Sequence, residues 1–161
     1  TRQPGVIQRA SDCFARLTGG RYARIISPVG EAEVRVETPA GDRVPLPHLS
    51  RGTQEQLYLS LRLGLIEEFD QHGESLPVIM DDILVNFDPD RARAAGTELL
   101  DFARDRQVLF FTCHPATVAM LRELDAELPV RAHPLPRGRP LRSPFSLRTA
   151  PATPFCPSAP G

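Results

Sequence analysis

The sequence predicts an α/β fold, with a mainly parallel sheet flanked by helices and a small antiparallel β element near the N-terminus. Two short runs, residues 76–80 and 108–111, are almost purely apolar, and a helical pattern separates them. Strands of this kind are typical of a parallel sheet buried on both faces. The first run stops at Asp81 and Asp82, and the second stops shortly before His114. Polar groups at the carboxyl ends of parallel strands indicate a ligand site.

Composition limits the class of protein. A chain of 161 residues with 41% apolar residues can bury the core of about one domain. A formal net charge of -1 excludes a uniformly basic nucleic-acid binder but leaves room for a local basic face. The 3 cysteines lie far apart, so we expect no disulfide framework, no Cys-x-x-Cys metal site and a reducing cytoplasm. No apolar run approaches about 20 residues, and residues 1–4 lack an initiator Met and a signal-peptide pattern, so we expect a soluble fragment with no membrane partner.

The N-terminal part predicts one helix and two strands. Residues 5–18 place Ile7, Ala10, Phe14 and Leu17 on one helical face, and two glycines follow. Residues 21–26 and 33–37 are rich in β-forming residues, with turn residues at 28–30 and 39–42. This indicates an antiparallel pair or small sheet edge.

Residues 57–65 alternate with period 2, as a strand would, but they also carry a helical pattern. Leu57, Leu61, Leu65 and Phe69 are spaced four apart, and Thr53-x-x-Gln56 fits a capping box. We therefore predict a helix over 53–71.

The remaining pattern alternates strands and helices. It predicts a strand at 77–81, a helix over 89–105 with Pro89 in its first turn, a strand at 107–112 and a helix over 115–125. From residue 128 onward there is no acidic residue and proline is frequent, so we expect residues 136–161 to form a disordered Pro/Arg-rich tail.

Three segments could carry chemistry, and each has a plainer interpretation. Asp81 suits Mg²⁺, with Asp82 beside an attacking water, although two aspartates can simply end a strand. His114 could bind a phosphate or orient a water, although such a histidine is usually a surface or packed residue. The amides at Ser50 and Gly52 precede a helix and could bind an anion, although an ordinary N-cap has the same sequence.

The order and spacing of these segments resemble a known family. Leu-Ser-Arg-Gly-Thr-Gln-Glu-Gln at 49–56 is followed by Asp-Asp-Ile-Leu-Val-Asn-Phe-Asp at 81–88 and then by His114. Residues 1–130 resemble the C-terminal lobe of an ABC-superfamily ATPase head in the SMC, RecN, RecF and SbcC branch. They look closest to bacterial YhaN-like coiled-coil ATPases.

The resemblance implies a role for each site residue. Ser50 and Gly52 match the signature motif, with Arg51 between them, and Asp88 matches the D-loop, so all four would contact nucleotide. Asp81 and Asp82 end the Walker B strand, which makes Asp81 the Mg²⁺ ligand and Asp82 the general base. His114 matches the switch histidine.

The resemblance also implies ATP and Mg²⁺ as cofactors and several partners. The chain contains no lysine, so the phosphate-cradling Walker A loop would come from the N-terminal lobe of the same full-length protein. Residues 1–20 would be the returning end of a coiled coil, and residues 21–135 would form the lobe. A second head would complete a homodimer around ATP, with DNA as the client in repair or chromosome maintenance.

The sequence departs from the family pattern at both motifs. Arg51 and Thr53 replace a glycine and a glutamine, and Asp82 replaces a glutamate that is one methylene longer. The shorter arm would slow hydrolysis or require a shifted backbone. The alternatives are a non-catalytic interaction module that keeps the lobe fold and, less favoured, a transporter nucleotide-binding domain.

Overall fold

A computed structural model describes residues 5–27, 34–71, 73, 75–124 and 130–135. The elements follow the order α1 (Gly5–Leu17), β1 (Arg24–Ile26), β2 (Arg35–Glu37), β3 (Arg43–Pro45), α2 (Arg51–Asp70), β4 (Val78–Asp81), α3 (Pro89–Phe102), β5 (Val108–Phe111) and α4 (Pro115–Leu124). Short 3-10 turns lie at Leu46–His48 and Ala103–Asp105. The α/β fold predicted from the sequence is confirmed.

An antiparallel sheet with strand order β1-β2-β3 forms the small N-terminal β element. Its central positions pair Ile25 with Val36 and Val36 with Val44. The side chains of Ile25 and Val36 are fully buried against α1. Ser11 of α1 reaches across, and its Oγ accepts a hydrogen bond from the Ile25 amide at 2.9 Å. The sequence indicated an antiparallel pair or small sheet edge from residues 21–26 and 33–37, and the fold adds β3 as a third strand.

Helix α2 begins earlier than predicted, and a different residue caps it. Ser50 is the N-cap, and its Oγ accepts a hydrogen bond from the amide of Thr53 at 3.3 Å. The predicted capping box starting at Thr53 is therefore wrong, since Thr53 is already inside the helix. Ser50 is the N-cap because its backbone is extended, whereas residues 51–70 are helical.

The buried face of α2 also differs from the expected leucine stripe. Leu57 is fully buried, but Leu65 and Phe69 are 57% and 67% exposed. The core-facing positions are Thr53, Gln56, Leu57, Leu59, Ser60, Leu63 and Gly64. Small and polar residues occupy this face because α1 crosses it closely: a Cβ on Gly64 would lie 2.8 Å from the Ala10 nitrogen.

Strands β4 and β5 pair in parallel, with Val78 opposite Val108 and Asp81 opposite Phe111. Met80 on one face is buried, and Val78, Val108 and Phe110 pack with it against α1, α2 and α3.

The other face of this sheet is open, contrary to the expectation of burial on both sides. Ile79 is 68% exposed, and Leu109 and Phe111 are each 41% exposed. No other described strand pairs with β4 or β5, and nothing in the described part of the chain covers these side chains. The alternation of burial is that of a half-covered sheet.

The C-terminal elements match the predicted order with shorter bounds. Asp88 caps α3 and Pro89 follows as its first residue, as expected, but the helix tightens into a 3-10 turn after Phe102. The guanidinium of Arg106 pairs with Asp70 at 2.7 Å and lies 3.8 Å from the centre of the Phe102 ring. The predicted turn at 28–30 and the predicted disordered tail at 136–161 lie outside the described residues. Among the described helices, none combines the length and apolar character needed to cross a membrane.

Candidate functional site

The carboxyl ends of β4 and β5 meet at one edge of the parallel sheet. Asp81 is the last residue of β4 and stands opposite Phe111, the last residue of β5. The amide of Asp82 continues the ladder by donating to the Phe111 carbonyl at 2.8 Å. This pairing brings residues 81–82 and 112–114 together, although about 30 residues separate them in the sequence.

Asp82 turns sharply out of β4 towards the end of β5. Its φ of 49° lies in the left-handed region, which an L-residue other than Asn or Asp seldom adopts. Its Oδ1 accepts a hydrogen bond from the Thr112 hydroxyl at 2.7 Å. Its Oδ2 accepts one from the Cys113 thiol at 3.3 Å and lies 3.5 Å from His114 Nε2. This left-handed turn directs the Asp82 carboxylate to the end of β5.

These contacts favour the ionised carboxylate. The Thr112 hydroxyl, the Cys113 thiol and the nearby His114 imidazole lower the pKa of Asp82 below its usual value. The same carboxylate raises the pKa of the Cys113 thiol, because the thiol donates to it and a thiolate would be repelled. At neutral pH, Asp82 is therefore a charged hydrogen-bond acceptor and a weak base.

The carboxylate of Asp81, unlike that of Asp82, has no partner among the described residues. Its side chain is exposed, and it makes no hydrogen bond or ion pair with the residues that the structure describes. A free carboxylate at the edge of a parallel sheet offers the hard oxygen ligand that Mg²⁺ prefers, and it leaves the remaining coordination positions to water and phosphate. The residues present therefore fit the ion.

A second group of predicted residues lies at the N-terminus of α2. Ser50 Oγ is 2.8 Å from Thr53 Oγ1, so the hydroxyl is held at the helix end. Arg51 points away, with an 86% exposed side chain that pairs with Glu55 at 3.4 Å. Gly52 is packed against the guanidinium of Arg91, since a Cβ added at Gly52 would overlap Arg91 Nη1.

Asp88 joins this second group through Arg91. Its Oδ1 accepts from the Arg91 amide at 3.0 Å, and its Oδ2 pairs with Arg91 Nη1 at 3.1 Å. Arg91 therefore links the N-terminus of α3 to the N-terminus of α2. The structure thus brings Asp81, Asp82 and His114 to one edge of the sheet. It links Gly52 to Asp88 through Arg91, while Ser50 caps α2 and Arg51 points away.

Three contacting residues were missed by sequence reasoning. Thr112 and Cys113 immediately precede His114, and a parallel pairing of the two strands implies that they face Asp82. Arg91 lies three residues after Asp88, a helical spacing at which ion pairs form. These local signals were available for all three, but only the fold shows that Arg91 reaches Gly52.

The geometry defines the class of fold, and comparisons with solved structures agree. A structure from work on ATP-driven dimerisation and DNA-stimulated activation of SMC ATPases matches with a TM-score of 0.58 and 16% identity, over 72% of this chain and 71% of that one. A second match is the Smc head domain of Pyrococcus furiosus with an extended coiled coil, bound to the C-terminal domain of ScpA. Its TM-score is 0.54 and its identity 15%, over 72% of this chain and 30% of that one. The described part of the chain has the fold of an SMC head fragment.

The sequence comparison matches only a short part of a much longer relative. The uncharacterised protein YhaN of Bacillus subtilis strain 168 is 35% identical over 113 residues, which is 69% of this chain. Those residues span only 12% of YhaN. No protein-family model matches the chain. The similarity to a YhaN-like lobe of an SMC or ABC ATPase, first indicated by the motifs, is confirmed.

Proposed function

We propose that this chain is the C-terminal half of an SMC-like ATPase head, which binds ATP and Mg²⁺ together with an N-terminal lobe and dimerises around the nucleotide. The observation that carries the proposal is the convergence of Asp81, Asp82 and His114 at one edge of the parallel sheet. A free carboxylate can hold a divalent cation, and an ionised carboxylate beside an imidazole can accept a proton from water and position it.

Each residue at the edge has a distinct role in this proposal. Asp81 holds Mg²⁺, which when bound neutralises charge on the phosphate oxygens. Asp82 accepts a hydrogen bond from the attacking water through Oδ2, while Thr112 holds Oδ1 in place. His114 stands beside the same oxygen and orients the water or contacts the phosphate.

The same geometry predicts slow turnover. The hydrogen bond from Thr112 lowers the pKa of Asp82, and a carboxylate with a lowered pKa is a weaker general base. The Cys113 thiol also occupies Oδ2 and has to give way before water can take its place. ATP binding therefore dominates over hydrolysis.

The open face of the parallel sheet supports the N-terminal lobe as a partner. Ile79, Leu109 and Phe111 form an apolar surface on the open face of the sheet, where another element could pack. In full-length protein, we propose that the Walker A lobe covers this surface and supplies the loop that cradles the phosphates.

The N-terminus of α2 is proposed as the contact with the second head. The helix end carries a partial positive charge, and the Arg91 guanidinium beside Gly52 adds a full one, so this position suits a γ-phosphate held by the other head. DNA is proposed as the client because one similar structure comes from work on DNA-stimulated SMC ATPases. Free thiols at Cys13 and Cys113 fit a reducing cytoplasm.

Two substitutions in the full-length protein test the assignment of the carboxylates. Asp81→Asn is expected to abolish Mg²⁺-dependent ATP turnover, because it removes the ligand charge. Asp82→Asn should keep ATP bound, trap dimers of heads and lower turnover by about 10²- to 10⁴-fold. Turnover is measured by phosphate release and binding by calorimetry.

The matched control is Asp12→Asn, which removes an exposed carboxylate from α1. It should hydrolyse ATP at the parent rate. Parental turnover in Asp82→Asn would show that Asp82 is not the general base.

A further inference from the structure

Three side chains at the edge of the parallel sheet form a mixed set of possible metal ligands. Asp82, Cys113 and His114 each present one ligand atom, and these three atoms all lie within 4.8 Å of one another. They are a carboxylate oxygen, a sulfur and an imidazole nitrogen, all on the surface of the described structure. Hard cations prefer oxygen alone, whereas a mixed sulfur and nitrogen set is typical of Zn²⁺.

Two of the three distances between the ligand atoms fit a single tetrahedral ion, and the third is within 4.8 Å. Zn²⁺ bonds of roughly 2.0 to 2.3 Å at tetrahedral angles place neighbouring ligand atoms about 3.3 to 3.7 Å apart. Asp82 Oδ2 lies 3.3 Å from Cys113 Sγ and 3.5 Å from His114 Nε2. Both distances from Asp82 Oδ2 therefore already match those between ligands of one tetrahedral Zn²⁺ ion.

The second oxygen of Asp82 is already held by a neighbour. The Thr112 hydroxyl donates to Oδ1 at 2.7 Å, which fixes the carboxylate and leaves Oδ2 for the ion. A hydrogen bond of this kind to a metal-binding carboxylate orients the ligand. The site is also accessible, because the side chains of His114 and Asp82 are 47% and 29% exposed.

We propose that Asp82, Cys113 and His114 form a binding site for a thiophilic divalent cation such as Zn²⁺. On binding, the Cys113 S–H bond breaks, the proton leaves to solvent and a sulfur–metal bond forms. The carboxylate and the neutral imidazole contribute one oxygen and one nitrogen, and the fourth position stays open for water.

This site has a consequence that rests on the proposed function. The ion takes the carboxylate and the imidazole that are assigned to water activation, so occupancy inhibits ATP hydrolysis. Asp81 lies outside the donor set, so its metal position remains free. The head would then respond to thiophilic metal through the residue pair Cys113 and His114.

Titration of the full 161-residue chain with Co²⁺ tests the site without any dependence on ATP. Tetrahedral Co²⁺ bound through a thiolate gives a sulfur-to-metal charge-transfer band in the near ultraviolet and intense visible bands. We expect both bands to saturate at one ion per chain and to be displaced by Zn²⁺. A folded chain, as judged by far-ultraviolet circular dichroism, that shows no charge-transfer band would overturn the proposal.

Variants distinguish this cluster from adventitious binding. Cys113→Ser should abolish the charge-transfer band, and His114→Gln should weaken Co²⁺ binding by at least about 10- to 100-fold. The controls are Cys156→Ser and His48→Gln, of which His48 is exposed at the end of a 3-10 turn. Both controls should titrate like the parent. An undiminished band in Cys113→Ser would refute the assignment.

The inhibitory consequence needs a separate measurement on full-length protein. Added Zn²⁺ should lower the ATP turnover of the parent more steeply than that of Cys113→Ser, each relative to its own rate without Zn²⁺. Equal sensitivity would refute the inhibition while the Co²⁺ spectra still decide the site. Absence of any ATP turnover in the parent would instead contradict the proposed function.

Discussion

Gly64→Ala probes the close crossing of α1 and α2. A Cβ at Gly64 would lie 2.8 Å from the Ala10 nitrogen and 2.9 Å from the Val6 carbonyl oxygen. Both atoms belong to the backbone of α1, so no side-chain rotation can relieve the contact. Helix α1 has to move away by about 0.5 Å to restore ordinary contact, and a gap of that size forfeits roughly a quarter of the dispersion energy of neighbouring pairs.

The magnitude is a difference between two opposing terms. Overpacking costs about 1 to 3 kcal/mol, and we expect about 2 to 3 kcal/mol here because the atoms met are backbone atoms. Replacing glycine by alanine inside a helix returns roughly 1 kcal/mol through helix propensity. We expect a net loss of about 1 to 2 kcal/mol in the free energy of unfolding. For a chain of this size, that lowers Tm by about 2 to 8 °C. Urea unfolding followed by circular dichroism measures the change.

Gly96→Ala is the matched control within α3. The atoms nearest its added Cβ are the methyl ends of Leu124, Met120 and Leu121, at 2.9 to 3.3 Å, and such groups can rotate aside. Its free energy of unfolding should stay within about 1 kcal/mol of the parent, because the helix-propensity gain offsets the small shift. If Gly64→Ala were as stable as Gly96→Ala, the close backbone approach of α1 to α2 would be wrong.

The remaining predictions concern the N-terminus of α2 in the full-length protein. Ser50→Arg places a long side chain at the proposed contact between heads. Sedimentation equilibrium with ATP should therefore show loss of dimers, while ATP binding within each head persists. If Ser50→Arg dimerised as the parent does, this segment would be an ordinary helix cap. Gly52→Ala should displace the Arg91 side chain from α2 and weaken ATP-driven dimerisation, with Tm nearly unchanged because a flexible side chain can move. Gly73→Ala, where nothing lies within 4 Å of the added Cβ, is its control. Parental dimerisation by Gly52→Ala would exclude a role for the contact with Arg91.

The sequence predicted the order of the main helices and of β4 and β5, because each has a strong local signal. Pro89 after Asp88 fixes the start of α3, and the apolar runs that end at Asp81 and before His114 fix the two parallel strands. The parallel pairing then brings Asp82 and His114 together, so this part of the site followed from the fold class.

Features that depend on tertiary neighbours were not predictable in the same way. The stripe through Leu65 and Phe69 has helical spacing, but only the position of α1 decides that Ser60 and Gly64 face the core instead. Similarly, the apolar composition of β5 indicated burial on both faces, yet Leu109 is 41% exposed in the described structure. Periodicity identifies an apolar face but does not say which element covers it.

The left-handed backbone of Asp82 is a further example. Nothing in the local sequence distinguishes its conformation from that of Asp81. In the fold, its carboxylate accepts hydrogen bonds from Thr112 and Cys113 at the end of β5 and lies 3.5 Å from His114 Nε2. A residue held in a sparsely populated backbone region by its surroundings is often found at a functional site.

Calorimetric titration of MgATP tests the central claim that this chain is half of a nucleotide site. The 161-residue chain alone should give no measurable heat of binding, because it lacks the groups that hold the β- and γ-phosphates. Addition of the N-terminal lobe, which is proposed to cover Ile79, Leu109 and Phe111, should produce tight binding with one ATP per reconstituted head. Tight MgATP binding by the chain alone would contradict the half-site account.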